Sequence, residues 1–327
     1  MRIGSTELKL GICLAPMAGY SDRAMRAVCH GLGAEYSVTE MVSAKAVVHG
    51  DKKTHALARI FADEGPVALQ IFGSEPEVMA EAASILSCPA EGVPPVAIDI
   101  NMGCPVRKIF RNGEGSALMR DPSLIEKIVR KTADATPLPV TVKLRIGVDS
   151  EHINVTECAK AAEAAGASAI CVHGRTTAEM YSGRSNPAPI AEVRRAVNIP
   201  VIANGDVACG EDAINLLCLT GADAIAVGRA AVGNPFVFKE IEAALAGREY
   251  TPPTADERAE IALLQLRMAI EDKGERVAVT ESRGQIALYL KSFRGAAALR
   301  AEINRALTYK EVESVMIRAV LGAKNII

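Results

Sequence analysis

Several features that would assign a chain to a functional class are missing from these 327 residues. No run reaches the roughly 18 apolar residues of a membrane-spanning helix, and the polar N-terminus carries no secretory signal. The eight cysteines form no CxxC pair, which argues against a zinc or iron–sulfur site and indicates free thiols in a reducing compartment. No GxGxxG motif opens a first βαβ unit, so a Rossmann-type NAD site is not supported. We expect a soluble, cytoplasmic protein without a membrane partner.

The balance of charge also argues against a uniformly basic surface. The formal net charge is −2, so the protein does not present a uniformly basic surface to a polyanion, although a local patch would suffice to bind one. With 49% hydrophobic residues, the chain can bury one large core and have residues left for a second, smaller domain.

Short β-branched runs alternate with helical patterns as far as Leu245. We predict strands at residues 11–14, 36–39, 67–71, 96–100, 140–144, 169–172, 201–203 and 224–227. Strands that are apolar at successive positions, each followed by a helix, predict a parallel sheet covered by helices. Eight repeats favour closure into a (β/α)8 TIM barrel over residues 1–245, whereas one strand fewer would favour an open doubly wound sheet.

The pattern changes after Leu245. Residues 246–254 read as a linker, and residues 255–327 carry only helical periodicity, which predicts a small C-terminal all-α domain with breaks at Gly274, Gly284 and Gly295. Residues 283–327 contain eight Lys or Arg against three Glu. An excess of basic residues on helices is commonly just a solvent-exposed helix face. A basic surface beside an active site is the alternative, and it would bind nucleic acid.

The most informative stretch is residues 96–105, where a buried strand is followed by Asn101, Gly103, Cys104 and Pro105. Glycine and proline cannot continue the ladder, so the thiol of Cys104 is expected just past the carboxyl end of a core strand. A lone cysteine is commonly a buried core thiol. This position instead favours a role in chemistry, because a barrel places its active site at the carboxyl ends of its strands.

Other polar groups follow the remaining strands and should converge on the same face. Lys143 and Arg145 end the fifth strand, and we expect only one of them to point inward, so Arg145 is given no role. Glycine-rich turns after the seventh and eighth strands predict a site for a phosphorylated cofactor. The candidates at this face are the loop Pro16, Met17, Ala18 and Gly19, then Gln70, Asn101, Lys143, His173, Arg175, Asn204, Gly205, Asp206, Gly228 and Arg229.

The chain resembles the tRNA-dihydrouridine synthases, and within them the bacterial B-type branch. The resemblance runs from the N-terminus to at least Leu245 and rests on eight ordered motifs. These are Leu14-Ala15-Pro16-Met17-Ala18-Gly19, Gln70, Asn101-Met102-Gly103-Cys104-Pro105, Gly115-Ser116-Ala117-Leu118, Lys143-Leu144-Arg145, His173-Gly174-Arg175-Thr176, Asn204-Gly205-Asp206 and Gly228-Arg229.

The resemblance implies FMN at the barrel mouth, NADPH as its reductant and a uridine of tRNA as the substrate. Cys104 would protonate C5 of the uracil ring, a role that suits a thiol with a pKa of about 8.5. The residues implied to hold FMN are Pro16, Met17, Ala18, Gly19, Gln70, Asn101, Lys143, His173, Asn204, Gly205, Asp206, Gly228 and Arg229. The residues implied to contact RNA are Arg107, Lys108, Arg111, Arg175, Arg283, Lys291 and Arg294.

The sequence departs from the B-type pattern where RNA would bind. The chain has no tryptophan, and Arg283-Gly284-Gln285 stands in place of an Arg-Lys-His run. Two alternatives therefore stay open beside reduction of tRNA. The first is the same chemistry on ribosomal RNA or on a free pyrimidine, and the second is an RNA-binding or chaperone module that holds flavin without turnover. We expect a monomer.

Overall fold

The structure is a computed structural model and describes residues 1–324. Its central sheet contains eight parallel barrel strands: β1 Ile12–Leu14, β2 Tyr36–Val38, β3 Val67–Phe72, β4 Ala97–Met102, β5 Val140–Arg145, β6 Ala169–His173, β7 Val201–Asn204 and β8 Ala224–Val227. A two-residue strand, Val42–Ser43, also pairs in parallel with the end of β3. Each barrel strand pairs with its neighbours in the chain, and β8 also pairs with β1, so the sheet closes. The predicted (β/α)8 barrel is confirmed.

Helices cover the outer face of the barrel and continue beyond it. Those around the sheet are α1 Arg23–Gly31, α2 Ala44–Val48, α3 Lys52–Ala58, α4 Pro76–Ser87, α5 Arg107–Arg111, α6 Pro122–Ala135, α7 Val155–Ala164, α8 Ala188–Ala196, α9 Gly210–Thr220 and α10 Val237–Leu245. The later helices are α11 Ala255–Lys273, α12 Glu275–Leu288, α13 Ala296–Ile303 and α14 Tyr309–Lys324. No helix within the described residues is long and apolar enough to cross a membrane.

Residue size explains how the barrel interior is filled. Positions that point inward low in the sheet are mostly small, among them Ala68, Ala97 and Ala169, and they pack in one cluster with Ile3 and Leu8 from the N-terminal segment. That segment forms a short antiparallel hairpin of Arg2–Ile3 and Thr6–Glu7. The polar side chains that point into the barrel lie nearer the carboxyl ends of the strands. The groups that could take part in a reaction are therefore at that end of the barrel.

The four last helices form a unit with its own core and pack on the first turn of the barrel. Helix α11 contacts α1, where Ala24 is buried with Ala269 and Ala278. Gly274 separates α11 from α12, and Gly295 precedes α13, as predicted. The expected break at Gly284 is wrong. That glycine lies inside α12, whose flanking residues are buried and hold the helix together by tertiary packing.

Candidate active site

Hydrogen bonds with Asn101 and Ser116 hold the turn that carries Cys104. Strand β4 continues to Met102, two residues further than predicted, and Gly103 and Cys104 follow it. The side-chain oxygen of Asn101 accepts hydrogen bonds from the N–H of Cys104 at 2.9 Å and of Gly103 at 3.3 Å. The Cys104 carbonyl accepts from the hydroxyl of Ser116 at 2.8 Å and from its N–H at 3.1 Å. The backbone that carries the thiol is therefore fixed by hydrogen bonds within the turn.

A buried chain of hydrogen bonds orients Asn101 in turn. Its amide donates to Gln70 Oε1 at 2.9 Å, and the amide of Gln70 donates to Asp99 Oδ2 at 2.7 Å. Asp99 also accepts from the hydroxyl of Thr141. These side chains come from β3, β4 and β5, so the sheet itself aligns the residue that shapes the Cys104 turn. Such second-layer support is typical of a preorganised site.

The environment keeps the Cys104 thiol protonated. Its residue is only 9% exposed, and this burial raises the pKa of the thiol, while the Val106 N–H and the charge of Arg145 act in the opposite direction. A raised pKa leaves the S–H bond intact at neutral pH. Cys104 is thus suited to donate a proton and unsuited to act as a nucleophile.

Strands β5 and β6 place cations around the mouth. Side chains two residues apart on a strand share a face, so the expectation that only one of Lys143 and Arg145 points inward is wrong. Lys143 donates to Asn204 Oδ1 at 3.1 Å, and Arg145 donates to the carbonyl of Gly103 at 2.9 Å. Both residues therefore lie at the carboxyl end of the barrel with His173.

His173 is neutral in this cationic environment. Burial lowers its pKa, the charges of Lys143, Arg145, Arg175 and Arg229 lower it further, and the result is about 2. Nη1 of Arg175 lies 3.2 Å from Nε2 of His173. Because a guanidinium only donates, Nε2 is the acceptor and the imidazole proton sits on Nδ1. His173 therefore offers an uncharged N–H donor to a ligand at the mouth.

The turns after β7 and β8 form a cradle for an anion. Within residues 1–324, the backbone N–H groups of Gly205, Asp206, Gly228 and Arg229 donate to no protein acceptor. The backbone at Gly205 has φ +141° and that at Asp206 φ +52°, so the chain turns sharply at these residues. Arg229 adds a guanidinium that is 61% exposed. The predicted phosphate site thus has free donors of the correct kind, and a phosphorylated cofactor fits these residues.

Two predicted roles need correction. Arg175 is 2% exposed, and its guanidinium donates to both carboxylate oxygens of Asp206 at 2.7 Å and to the carbonyl of Gly183 at 2.7 Å. It lies beneath the cradle and is not available to contact RNA. The Asp206 carboxylate faces Arg175 and the Ser185 N–H. Burial would raise its pKa, but these partners hold the pKa below its usual range. Its contribution to the cradle is therefore its backbone N–H.

The loop after β1 shows a site residue that sequence reasoning missed. In this loop Pro16 and Met17 are half-buried, whereas Ala18 and Gly19 are exposed. The carboxylate of Glu40 accepts the N–H of Gly19, and burial raises the pKa of that carboxyl. Glu40 follows β2, and the sequence motifs predict no site residue after that strand. The rule that strand ends converge would have identified it.

The predicted RNA-contacting residues other than Arg175 lie towards solvent. Within the described part of the chain none of them enters an ion pair, so their charges are not neutralised by carboxylates. The exposed ones are Arg107, Lys108, Arg111, Lys291 and Arg294, and the half-buried one is Arg283.

A protonated thiol, a neutral imidazole and an anion cradle lie at the mouth of a (β/α)8 barrel and form a candidate enzyme site that fits a phosphorylated ligand. A family model described as Dihydrouridine synthase (Dus) matches residues 13–324. tRNA-dihydrouridine synthase B of Pseudomonas putida is 39% identical over 328 residues, covering 99% of this chain and 95% of that protein. The enzyme of the same name from Yersinia pestis is 42% identical over 254 residues, covering 77% and 78%. The chain therefore belongs to the dihydrouridine synthase family, as its motifs predicted.

Solved structures agree on the fold. A histamine dehydrogenase from Rhizobium sp. 4-9 superposes with a TM-score of 0.54 at 13% identity, covering 87% of this chain and 50% of that one. At this identity the likeness shows the fold alone.

Proposed function

We propose that the protein reduces the C5=C6 bond of uridines in tRNA to dihydrouridine, with FMN as its cofactor and NADPH as the reductant. The observation that carries the proposal is that a protonated thiol at Cys104 and an open backbone cradle at residues 205–206 and 228–229 share one barrel mouth. Membership of the dihydrouridine synthase family and the names of the relatives support tRNA as the substrate over ribosomal RNA or a free pyrimidine.

One group of residues at the mouth would bind the phosphate of the cofactor, and a second group would bind its ring system. The N–H groups of the cradle and the Arg229 guanidinium would hold the phosphate. Lys143, Gln70 and the Nδ1–H of His173 would face the polar edge of the ring system, beside the loop of residues 16–19. When bound, FMN supplies the hydride transfer that no side chain can perform.

Cys104 would deliver the proton that completes the reduction. Asn101 and Ser116 fix the backbone of its turn, which holds Cys104 at the mouth. The uracil must be everted from folded RNA to reach it, which costs a few kcal/mol of stacking. Phosphate contacts from the exposed cations of α5 and of the helical unit would offset that cost.

The test uses the purified protein and its colour. A yellow protein with FMN released on denaturation, bleached by NADPH and reoxidised faster by unmodified tRNA than by fully modified tRNA, is the expected result. Loss of tRNA-dependent reoxidation in Cys104→Ala, with flavin content and bleaching retained, would assign the acid. A protein that binds flavin and tRNA but forms no dihydrouridine would refute the proposal and favour a non-catalytic RNA-binding role.

A further inference from the structure

Arg145 has a set of contacts that the binding of cofactor or RNA does not account for. Its guanidinium is at the end of β5, the residue is 2% exposed, and it donates only to backbone carbonyls. Nε donates to Gly103 at 2.9 Å, and Nη1 donates to Thr176 at 2.7 Å and to Met180 at 2.8 Å. One side chain thus joins the turn that carries Cys104 to the loop after β6.

Among the described residues, the guanidinium of Arg145 has no carboxylate within ion-pair distance, whereas Arg175 beside it is paired with Asp206. The ring of Tyr181 lies with its centroid 5.6 Å from the guanidinium carbon. The other charged groups that act on Arg145 are Arg175 and Glu179, and the Glu179 carboxylate accepts hydrogen bonds from the N–H and hydroxyl of Thr176. Burying a cation without a carboxylate is costly. An uncharged donor could also link three backbone carbonyls. We therefore expect the positive charge of Arg145 to have a separate function.

The Met180 backbone gives a second sign that this arrangement is constrained. Its φ is +52°, in the left-handed region that bulky side chains avoid, and its carbonyl is one of the three that Arg145 holds. Strain of this kind persists where the surrounding contacts over-determine the backbone, and it is concentrated at functional sites.

We infer that Arg145 is a positioning residue for Cys104 and that its charge stabilises the thiolate left when the proton departs. The inference rests on the proposed function. In that step the S–H bond of Cys104 breaks, a C–H bond forms at C5 of the uracil, and the sulfur keeps the electron pair. C6 takes the hydride, so the base gains one hydride and one proton, and water restores the thiol. A fixed cation beside the sulfur lowers the barrier, because it acts on charge that appears only during the reaction.

The electrostatics of the resting site agree with this role. Burial raises the pKa of the Cys104 thiol, and the Val106 N–H and the charge of Arg145 oppose that rise. Proton donation by a buried thiol becomes slow if the thiolate has no stabilising partner. Burial thus keeps the thiol protonated at rest, and Arg145 would make release of its proton in the reaction easier.

The test is the pH profile of Cys104 alkylation in flavin-loaded wild type, Arg145→Gln and Arg145→Lys. Iodoacetamide labelling is quantified at each cysteine by peptide mass spectrometry, and the exposed Cys88 serves as the reference in the same tube. We expect Arg145→Gln to move the Cys104 profile up by about 0.5–1 pH unit, a three- to tenfold slower labelling at a fixed pH. Arg145→Lys keeps the charge and should restore much of the wild-type profile, while Cys88 stays unchanged in all three proteins.

The kinetic readout separates this role from a structural one. Arg145→Gln should lower kcat for uridine reduction at least tenfold, with little change in KM for tRNA or in bleaching by NADPH. An unshifted Cys104 profile in Arg145→Gln would overturn the inference, and so would equal shifts in Arg145→Gln and Arg145→Lys. Because the labelling needs neither tRNA nor NADPH, its result separates a failure of this inference from a failure of uridine reduction.

Discussion

Two glycines near Cys104 provide a matched pair of substitutions. Gly113 and Gly115 both have a left-handed backbone, with φ of +76° and +60°. A Cβ on Gly113 would meet nothing within 4 Å, whereas one on Gly115 would lie 2.9 Å from the Cys104 carbonyl oxygen, 3.0 Å from its Cβ and 3.0 Å from Ile109. Alanine is therefore equally strained at the two positions in its backbone but collides with the acid-bearing turn at only one.

The expected costs follow from these contacts. Alanine in a left-handed conformation costs about 1 kcal/mol, so Gly113→Ala should lower the free energy of unfolding by about that amount. Gly115→Ala adds the overlap with Cys104, which costs about 1–3 kcal/mol more if the turn moves to relieve it. That movement displaces the thiol, so uridine reduction should fall at least tenfold in Gly115→Ala and stay near wild type in Gly113→Ala.

Urea denaturation and initial rates with unmodified tRNA measure both quantities on the same preparations. Flavin content should be equal in the two variants, because neither glycine lies at the cradle. Equal turnover by Gly115→Ala and Gly113→Ala would refute the claim that the position of the Cys104 turn controls the reaction.

Three further predictions concern other parts of the site. Asn101→Ala leaves the Cys104 N–H and Gln70 Oε1 unpaired, and it should lower the free energy of unfolding in urea by about 2–4 kcal/mol; an unchanged value would contradict the network. Burial raises the pKa of Glu40 above 4.5, so the folded state binds the proton more tightly and wild type should gain stability relative to Glu40→Gln as the pH falls from 7 to 4. A constant difference between these two proteins across that range would contradict the burial. Replacing the three cations of α5 with glutamine should weaken tRNA binding and reduce the slope of log affinity against log salt by about 2–3, whereas an unchanged slope would exclude α5 from the interface.

Much of the fold was predictable because the strands of this barrel are buried on both faces. Their apolar runs stand out from the amphipathic helices, and the eight predicted strands agree with the structure to within one or two residues at each end. The end of β4 was placed too early, because Asn101 is polar. The strand continues through Asn101 because the side chain points into the barrel and donates a hydrogen bond to Gln70.

The polar contacts between distant segments could not be predicted. Arg175 carries the charge expected of an RNA contact, but only the closed barrel brings Asp206 within 2.7 Å of it and turns it inward. Gly284 has the composition of a helix break, and tertiary packing overrides that preference within α12. The shared face of Lys143 and Arg145 was available from the two-residue period of a strand and was assigned incorrectly.

The most direct test of the central claim is the map of dihydrouridine in tRNA from cells that lack this protein, complemented with wild type or with Cys104→Ala. The account predicts that specific uridines lose the modification in the deletion strain, regain it with wild type and stay unmodified with Cys104→Ala, although that variant retains its flavin. Restoration of dihydrouridine at those positions by Cys104→Ala would contradict the account.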